Sequence, residues 1–181
     1  MKLLLVRHAD AGDADSFARS GQPDYKRPLS PRGHEQMRRA VKGLQLLLTG
    51  CEIIVSSPYT RAVSTAEILR RAYELPEVVL SPALEPQALP EDFERWMREQ
   101  PRHDVVAAVG HEPNLGVLAT WLTSGSREAS LEFRKGGACL IAFGRRPKKG
   151  GGMLRWLLGP KELARIAAEP VIARPSPLNP V

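Results

Sequence analysis

Cysteine is scarce: the chain holds only Cys51 and Cys139, far apart and in no CxxC pair. That argues against a disulfide-stapled scaffold and fits two reduced thiols in the core of a cytoplasmic protein. Long apolar runs are also missing. No stretch approaches the ~18 residues of a membrane span, and Leu3–Val6 is too short for a signal-peptide core before Arg7 and His8 intervene. Glycine and proline, 15 and 16 residues, follow no period, which excludes a collagen-like fibre. The four histidines, His8, His34, His103 and His111, form no HExxH or other metal-ligand spacing, and there is no glycine–lysine–Ser/Thr phosphate loop.

What is present suits one globular domain. The 181 residues are 43% hydrophobic and 25% charged, enough chain and apolar content for a single core. We place the domain at residues 1–169 and a tail at 170–181, where four of the twelve residues are proline. The net charge of +6 is unevenly spread: residues 1–125 hold 15 basic and 16 acidic side chains, whereas 126–181 hold 11 and 4. This surplus, including Arg134-Lys135, Arg145-Arg146 and Lys148-Lys149, could steer an acidic or phosphorylated partner. A non-catalytic phosphate- or nucleic-acid-binding module is the alternative reading of this surplus, but it matches no recognised nucleic-acid module and has few interleaved aromatics, which argues against nucleic acid as partner.

The order of elements reads as α/β. Leu3–Val6 is a buried strand that ends in Arg7-His8-Ala9-Asp10. After a polar, turn-rich loop from Asp13 to Pro28, Ser30 and Pro31 open a helix with an apolar stripe of Met37, Val41, Leu44 and Leu48. A second strand, Glu52–Val55, leads into a helix at about Tyr59–Tyr73. Val78–Leu80 is a weak third strand, followed by an amphipathic helix from Pro90 to Gln100. Asp104–Val109 is a further strand, ending in Gly110-His111-Glu112-Pro113 before a helix at Leu115–Leu122. Ala138–Phe143 and Met153–Leu158 form a hairpin, and a short helix runs from Pro160 to Glu169. The expected architecture is a single-domain three-layer α/β/α sandwich, its central sheet mostly parallel, with an antiparallel C-terminal hairpin.

Three strand-to-helix turns at one sheet edge would present Arg7, His8, Arg61 and His111, with Ser57 nearby. Ligands bind at that edge of such sheets. Guanidinium forks match phosphoryl oxygens, and an imidazole kept neutral by neighbouring cations retains a nucleophilic lone pair. Arg27 could reach the same anion from the loop, and Ser57 could cap the following helix or touch substrate. His34 and His103 read as solvated surface, and Trp96, Trp121 and Trp156 as core. Cys139 and Arg145 have the C-x5-R spacing of cysteine-dependent phosphatases, but the apolar Leu140–Phe143 between them reads as a strand and not an anion loop.

Three motifs carry a family resemblance. Leu4-Leu5-Val6-Arg7-His8-Ala9-Asp10-Ala11, Ser56-Ser57-Pro58-Tyr59-Thr60-Arg61-Ala62 with Thr65-Ala66, and Val109-Gly110-His111-Glu112-Pro113 resemble, in order, the signatures of the histidine phosphatase superfamily, the phosphoglycerate-mutase-like fold. Arg27-Pro28-Leu29-Ser30-Pro31-Arg32-Gly33 and the Trp156–Leu163 ending look most like its SixA-type phosphohistidine phosphatases. The similarity spans Met1 to about Ala167. It implies a phosphatase that works without metal or cofactor: His8 takes the phosphoryl group, water hydrolyses it, and Arg7, Arg61 and His111 stabilise the charge on the oxygens. The implied substrate is a phosphohistidine protein or, by the same mechanism, a small phosphorylated metabolite.

Two positions depart from the family pattern: Ala9 stands where glycine is usual, and Ala14 where mutase-like members have asparagine. The glutamate-bearing insertion of larger members is also absent. Glu85 is then the candidate general acid, with Asp10 and Glu112 as rivals. A protonated phosphoramidate leaves more easily than an alkoxide and asks less of an acid, which leans towards phosphohistidine.

Overall fold

The computed structural model describes residues 1–168; the 170–181 tail and Glu169 lie outside the described residues. Six strands form one sheet in the order β3-β2-β4-β1-β5-β6. They are β1 (Lys2–Arg7), β2 (Ile53–Ser56), β3 (Val79–Leu80), β4 (Val105–Gly110), β5 (Ala138–Phe143) and β6 (Gly152–Leu158). The first four are parallel, β5 runs against β1, and β6 runs against β5. The helices are α1 (Ala14–Ala18), α2 (Pro31–Leu47), α3 (Thr60–Ala72), α4 (Pro90–Glu99), α5 (Asn114–Ser124) and α6 (Pro160–Ala168).

Alternation along β1 divides the core. Leu4 and Val6 face α2, α3 and α6, packing near Met37, Leu44, Ala66 and Leu163. Leu3 and Leu5 face α4 and α5, near Phe93, Met97, Leu115 and Leu118. All four β1 leucine and valine side chains are fully buried, as a central strand covered on both faces requires. The result is the expected α/β/α sandwich.

The start of α2 is fixed by its expected cap: Ser30 Oγ accepts from the Gly33 N–H, with Pro31 in the first turn. A methyl group at Gly33 would stand 2.0 Å from the Asp10 carbonyl oxygen, so only glycine lets α2 approach the loop leaving β1. Gly43 does the same for α6, where a Cβ would meet the Leu163 carbonyl at 2.0 Å. These two contacts fix α2 between the site and α6.

Several expectations are corrected. The Asp13–Pro28 segment is not all loop: Asp13 caps α1 by accepting from Ser16, and Asp24–Lys26 makes a 3-10 turn. Local Asx chemistry in a polar stretch is enough to nucleate such short helices. The third strand is only two residues, Val79 and Leu80, which pair with Val55 and Ser56. Trp121 is buried, whereas Trp96 and Trp156 are half-buried against the core clusters. His34 is half-buried rather than solvated, as is His103, which lies 3.3 Å from the Glu52 carboxylate.

The steering role considered for Lys148 and Lys149 meets a geometric obstacle. Because β5 is antiparallel to β1, Ala138 pairs with Val6 near the Arg7 end. At the opposite end, Phe143 N–H donates to Met1 O. The β5–β6 loop carrying Arg145, Arg146, Lys148 and Lys149 is therefore roughly 17 Å of strand away from His8. Of the basic surplus among the described residues, Arg134, Lys135 and Lys161 line a depression with Asp10 at the edge that bears His8, Lys135 Nζ standing 3.1 Å from Asp10. Cys139 lies fully buried in mid-strand, paired with Leu5 and Leu157, and burial raises its thiol pKa far from reactivity.

Candidate active site

The ends of β1, β2 and β4 converge as the parallel topology demands. Beyond the ladder, His8 N–H donates to Gly110 O and Ser57 N–H to Val109 O, so the three turns stay in register past their strands. Thr65 ties α3 to the first turn: its hydroxyl donates to Arg61 O and accepts from Ala9 N–H at 3.1 Å. That explains why a threonine one helical turn after Arg61 belongs to the motif.

His8, Arg61 and His111 are buried, at 6%, 4% and 2% exposure. His8 Nδ1 lies 2.7 Å from the Ala9 carbonyl oxygen, which can only accept, so Nδ1 carries the proton and Nε2 the lone pair. Arg61 Nε–H points at that lone pair from 3.2 Å. The rings of His8 and His111 are 5.1 Å apart. His111 Nε2 stands 2.9 Å from Ser57 Oγ, and the same oxygen accepts from Tyr59 N–H. Ser57 is thus both a turn cap and the partner of His111.

Burial is the main reason the His8 pKa falls to about 4, and the charges of Arg61, Arg7 and Arg27 push it further down against the Ala9 carbonyl. Burial likewise lowers His111 to about 2, with His8 and Arg61 adding to it. Both imidazoles are neutral at pH 7. Arg7 is held by the Phe133 carbonyl, which accepts from its Nη1. Two buried polar atoms here have no partner: Arg7 Nε and His111 Nδ1. Unpaired buried polar atoms of this kind mark a place for a ligand's polar groups.

Arg27 joins the cluster from the loop. Its Nε–H donates to Asp24 at 2.8 Å, and its Nη1 reaches the Ala11 and Gly12 carbonyls. Glu85 does not join it: among the described residues no hydrogen bond or ion pair links its carboxylate to His8, Arg61 or His111. Its backbone carbonyl accepts from Asn114, and it lines a surface depression beside α4 with Asp92 and Trp96. Asp10 is held ionised, chiefly by the Ser30 hydroxyl and then by Lys135, which disfavours it as an acid. Glu112 accepts from Phe133 N–H at 2.9 Å, fixing the segment whose carbonyl holds Arg7; burial raises its pKa.

Sequence reasoning missed Asp24 and Tyr59. The Asp24 carboxylate is shared by Arg27 and Arg61, 3.0 Å from Arg61 Nη2, while the Asp24 carbonyl accepts from Arg61 Nη1. An acid three residues before Arg27 in the loop was the available signal. Tyr59 packs edge-on to His111 at 5.0 Å, beneath the Arg61 guanidinium at 4.9 Å, and Tyr25 extends this wall outward at 6.4 Å.

Paired arginines and neutral histidines at the C-terminal edge of a parallel α/β sheet define a phosphate-handling class of site. Residues 3–89 match the model of the histidine phosphatase superfamily (branch 1). An uncharacterized protein of Picosynechococcus is 32% identical over 139 residues, covering 76% of this chain and 82% of the relative. The chain belongs to the histidine phosphatase superfamily. Its fold is similar to that of the protein histidine phosphatase SixA complexed with tungstate, with a TM-score of 0.72, 24% identity, and 90% and 99% of the two chains covered. It is also similar to a mycobacterial glucosyl-3-phosphoglycerate phosphatase, with a TM-score of 0.66, 16% identity, and 87% and 99% covered.

Proposed function

We propose that this histidine phosphatase family member hydrolyses phosphohistidine in proteins through a phosphoenzyme formed on His8. The observation that carries the reading is the protonation geometry of His8: Nδ1–H is spent on Ala9 O, leaving a neutral Nε2 lone pair within the arginine cluster. Nε2 attacks phosphorus in line, the P–N bond to the substrate imidazole breaks, and that imidazole departs with its proton already in place. Water then attacks the phosphoenzyme, releasing phosphate and restoring the His8 lone pair.

Arg7 and Arg61 supply charge to the equatorial oxygens, and the unpartnered Arg7 Nε is a donor held ready for one of them. Ser57 accepts from Tyr59 N–H, so its own proton is available to His111 Nε2. In that tautomer, the unpartnered His111 Nδ1 is a second N–H donor. The acid inventory supports that substrate class. Asp10 and Asp24 are held ionised by their partners, Glu85 is not drawn to the cluster, and Glu112, although burial raises its pKa, is occupied by the Phe133 N–H, so a leaving group that needs little protonation suits the site.

The test is to compare a phosphohistidine protein with small phosphate esters on the wild type and on His8→Asn. The expected result is faster turnover of phosphohistidine, an acid-labile phosphoenzyme in quenched wild-type samples, and loss of both in the variant. Faster turnover of sugar phosphates would instead favour the small-metabolite alternative. Activity that survives His8→Asn would overturn the mechanism.

A further inference from the structure

A groove of about 660 Å³ runs between α2 and α3, outside the arginine–histidine cluster. Its floor is apolar, built from Val41, Val63, Ile68 and Ala72. One wall is a helical ladder, His34, Arg38 and Lys42, each one turn beyond the last, and Arg71 stands on the other. Among the described residues neither Lys42 nor Arg71 has a carboxylate partner, and Arg38 has only Glu35 at 3.9 Å, with both side chains more than half exposed. The one acid in the groove, Glu67, is taken by Arg70 at 2.9 Å. The rim therefore carries three cations with little local compensation around an apolar floor, and its complement is an apolar stripe flanked by acids.

The groove also has a direction. α2 and α3 both start at the sheet edge that bears His8: Ser30, which caps α2, donates to Asp10 at 2.7 Å, and Arg61 lies in the first turn of α3. From His34 to Gln45 the α2 wall spans roughly 16 Å, about three helical turns, leading away from that edge.

Resting on the phosphatase reading, we infer that this groove docks an acidic amphipathic helix of the phosphorylated protein partner, so that a phosphohistidine at the helix's end reaches His8. Such helix-in-groove recognition buries the apolar stripe and leaves the acids facing the rim. It would give the enzyme a protein preference that the phosphate cluster alone, which contacts only the phosphoryl group and its immediate leaving group, does not supply.

The probe is a synthetic sixteen-residue helix with a leucine stripe, glutamates on both flanks and a phosphohistidine near one end. Its twin carries lysine for every glutamate, and phosphoramidate serves as a substrate too small to touch the groove. The variant is Lys42→Glu with Arg71→Glu, both exposed positions outside the catalytic cluster. In the wild type the acidic helix should show a KM about ten-fold below that of its twin, and in the variant its KM should rise about ten-fold with kcat unchanged. Fluorescence anisotropy of the unphosphorylated acidic helix should weaken by the same factor, a readout that needs no catalysis. Phosphoramidate turnover should not change. Equal affinities for the two helices, or an equal loss on phosphoramidate, would overturn the docking proposal. So would a wild-type dimer that the variant dissolves, because the groove would then belong to a second copy. Absence of phosphoramidate turnover in the wild type would count against the phosphatase reading instead, while the anisotropy result would still decide the groove.

Discussion

Burying two neutral histidines beside two arginines should make this protein acid-sensitive in a way that can be assigned to those two residues. Unfolded histidine titrates near 6.5, whereas folded His8 and His111 titrate at about 4 and about 2. Between those values the unfolded chain binds more protons than the folded one, so falling pH favours unfolding. The stabilisation is fully present above pH 6.5 and is lost progressively below it. At pH 5.5 each histidine removes about 1.4 kcal/mol relative to pH 8, or about 2.8 kcal/mol for the pair, and the His8 contribution levels off at about 3.4 kcal/mol below pH 4. The measurement is urea unfolding at pH 8 and 5.5, in phosphate-free buffer to avoid ligand stabilisation, on the wild type and on His8→Asn/His111→Asn. All other titrating groups are shared, so the difference between the two pH responses isolates the pair. The wild type should lose about 2.8 kcal/mol more than the double variant. Coincident pH responses would refute the claim that burial and the arginines keep these imidazoles neutral. The same neutrality serves the proposed chemistry, because a protonated Nε2 has no lone pair to offer phosphorus.

Further expectations concern residues around the cluster. Asp24→Asn removes the carboxylate that occupies Arg61 and Arg27, and inorganic phosphate should bind several-fold more tightly by calorimetry; weaker binding would show that Asp24 positions Arg61 rather than competing for it. Gly33→Ala puts a methyl group 2.0 Å from the Asp10 carbonyl oxygen and should cost about 2 kcal/mol or more in urea unfolding, with activity falling as the turn after His8 shifts. Lys148→Gln with Lys149→Gln should leave substrate capture unchanged at low salt, since that loop lies at the other end of the sheet; a marked drop in kcat/KM would restore a steering role.

The alternation of apolar runs with polar strand ends was enough to place His8, Arg61 and His111 at one edge, because parallel strands joined by helices align their C-terminal ends whatever the loops do. Ser30 and Pro31 likewise announced the start of α2 through local hydrogen bonding. The exceptions share a cause. Glu85 looked suitable by position in the chain, yet among the described residues no hydrogen bond or ion pair joins its carboxylate to the cluster, and only the packing of the Pro82–Leu84 turn against α4 and α5 decides where it sits. Asp24 and Tyr59 were overlooked because their partners, Arg61 and His111, are distant in sequence.

The residue types and their order were therefore enough to determine the layer architecture and the meeting of His8 with Arg7, Arg61 and His111 at one sheet edge, since these depend on hydrophobic periodicity and on which side chains follow each strand. Tertiary structure alone decided the protonation geometry of His8, the sharing of Arg61 between Asp24 and His8, the distance separating the basic β5–β6 loop from the site, and the cationic groove between α2 and α3. Each of those rests on two segments brought together through space, where burial and charge act over a few ångströms that spacing along the chain does not encode.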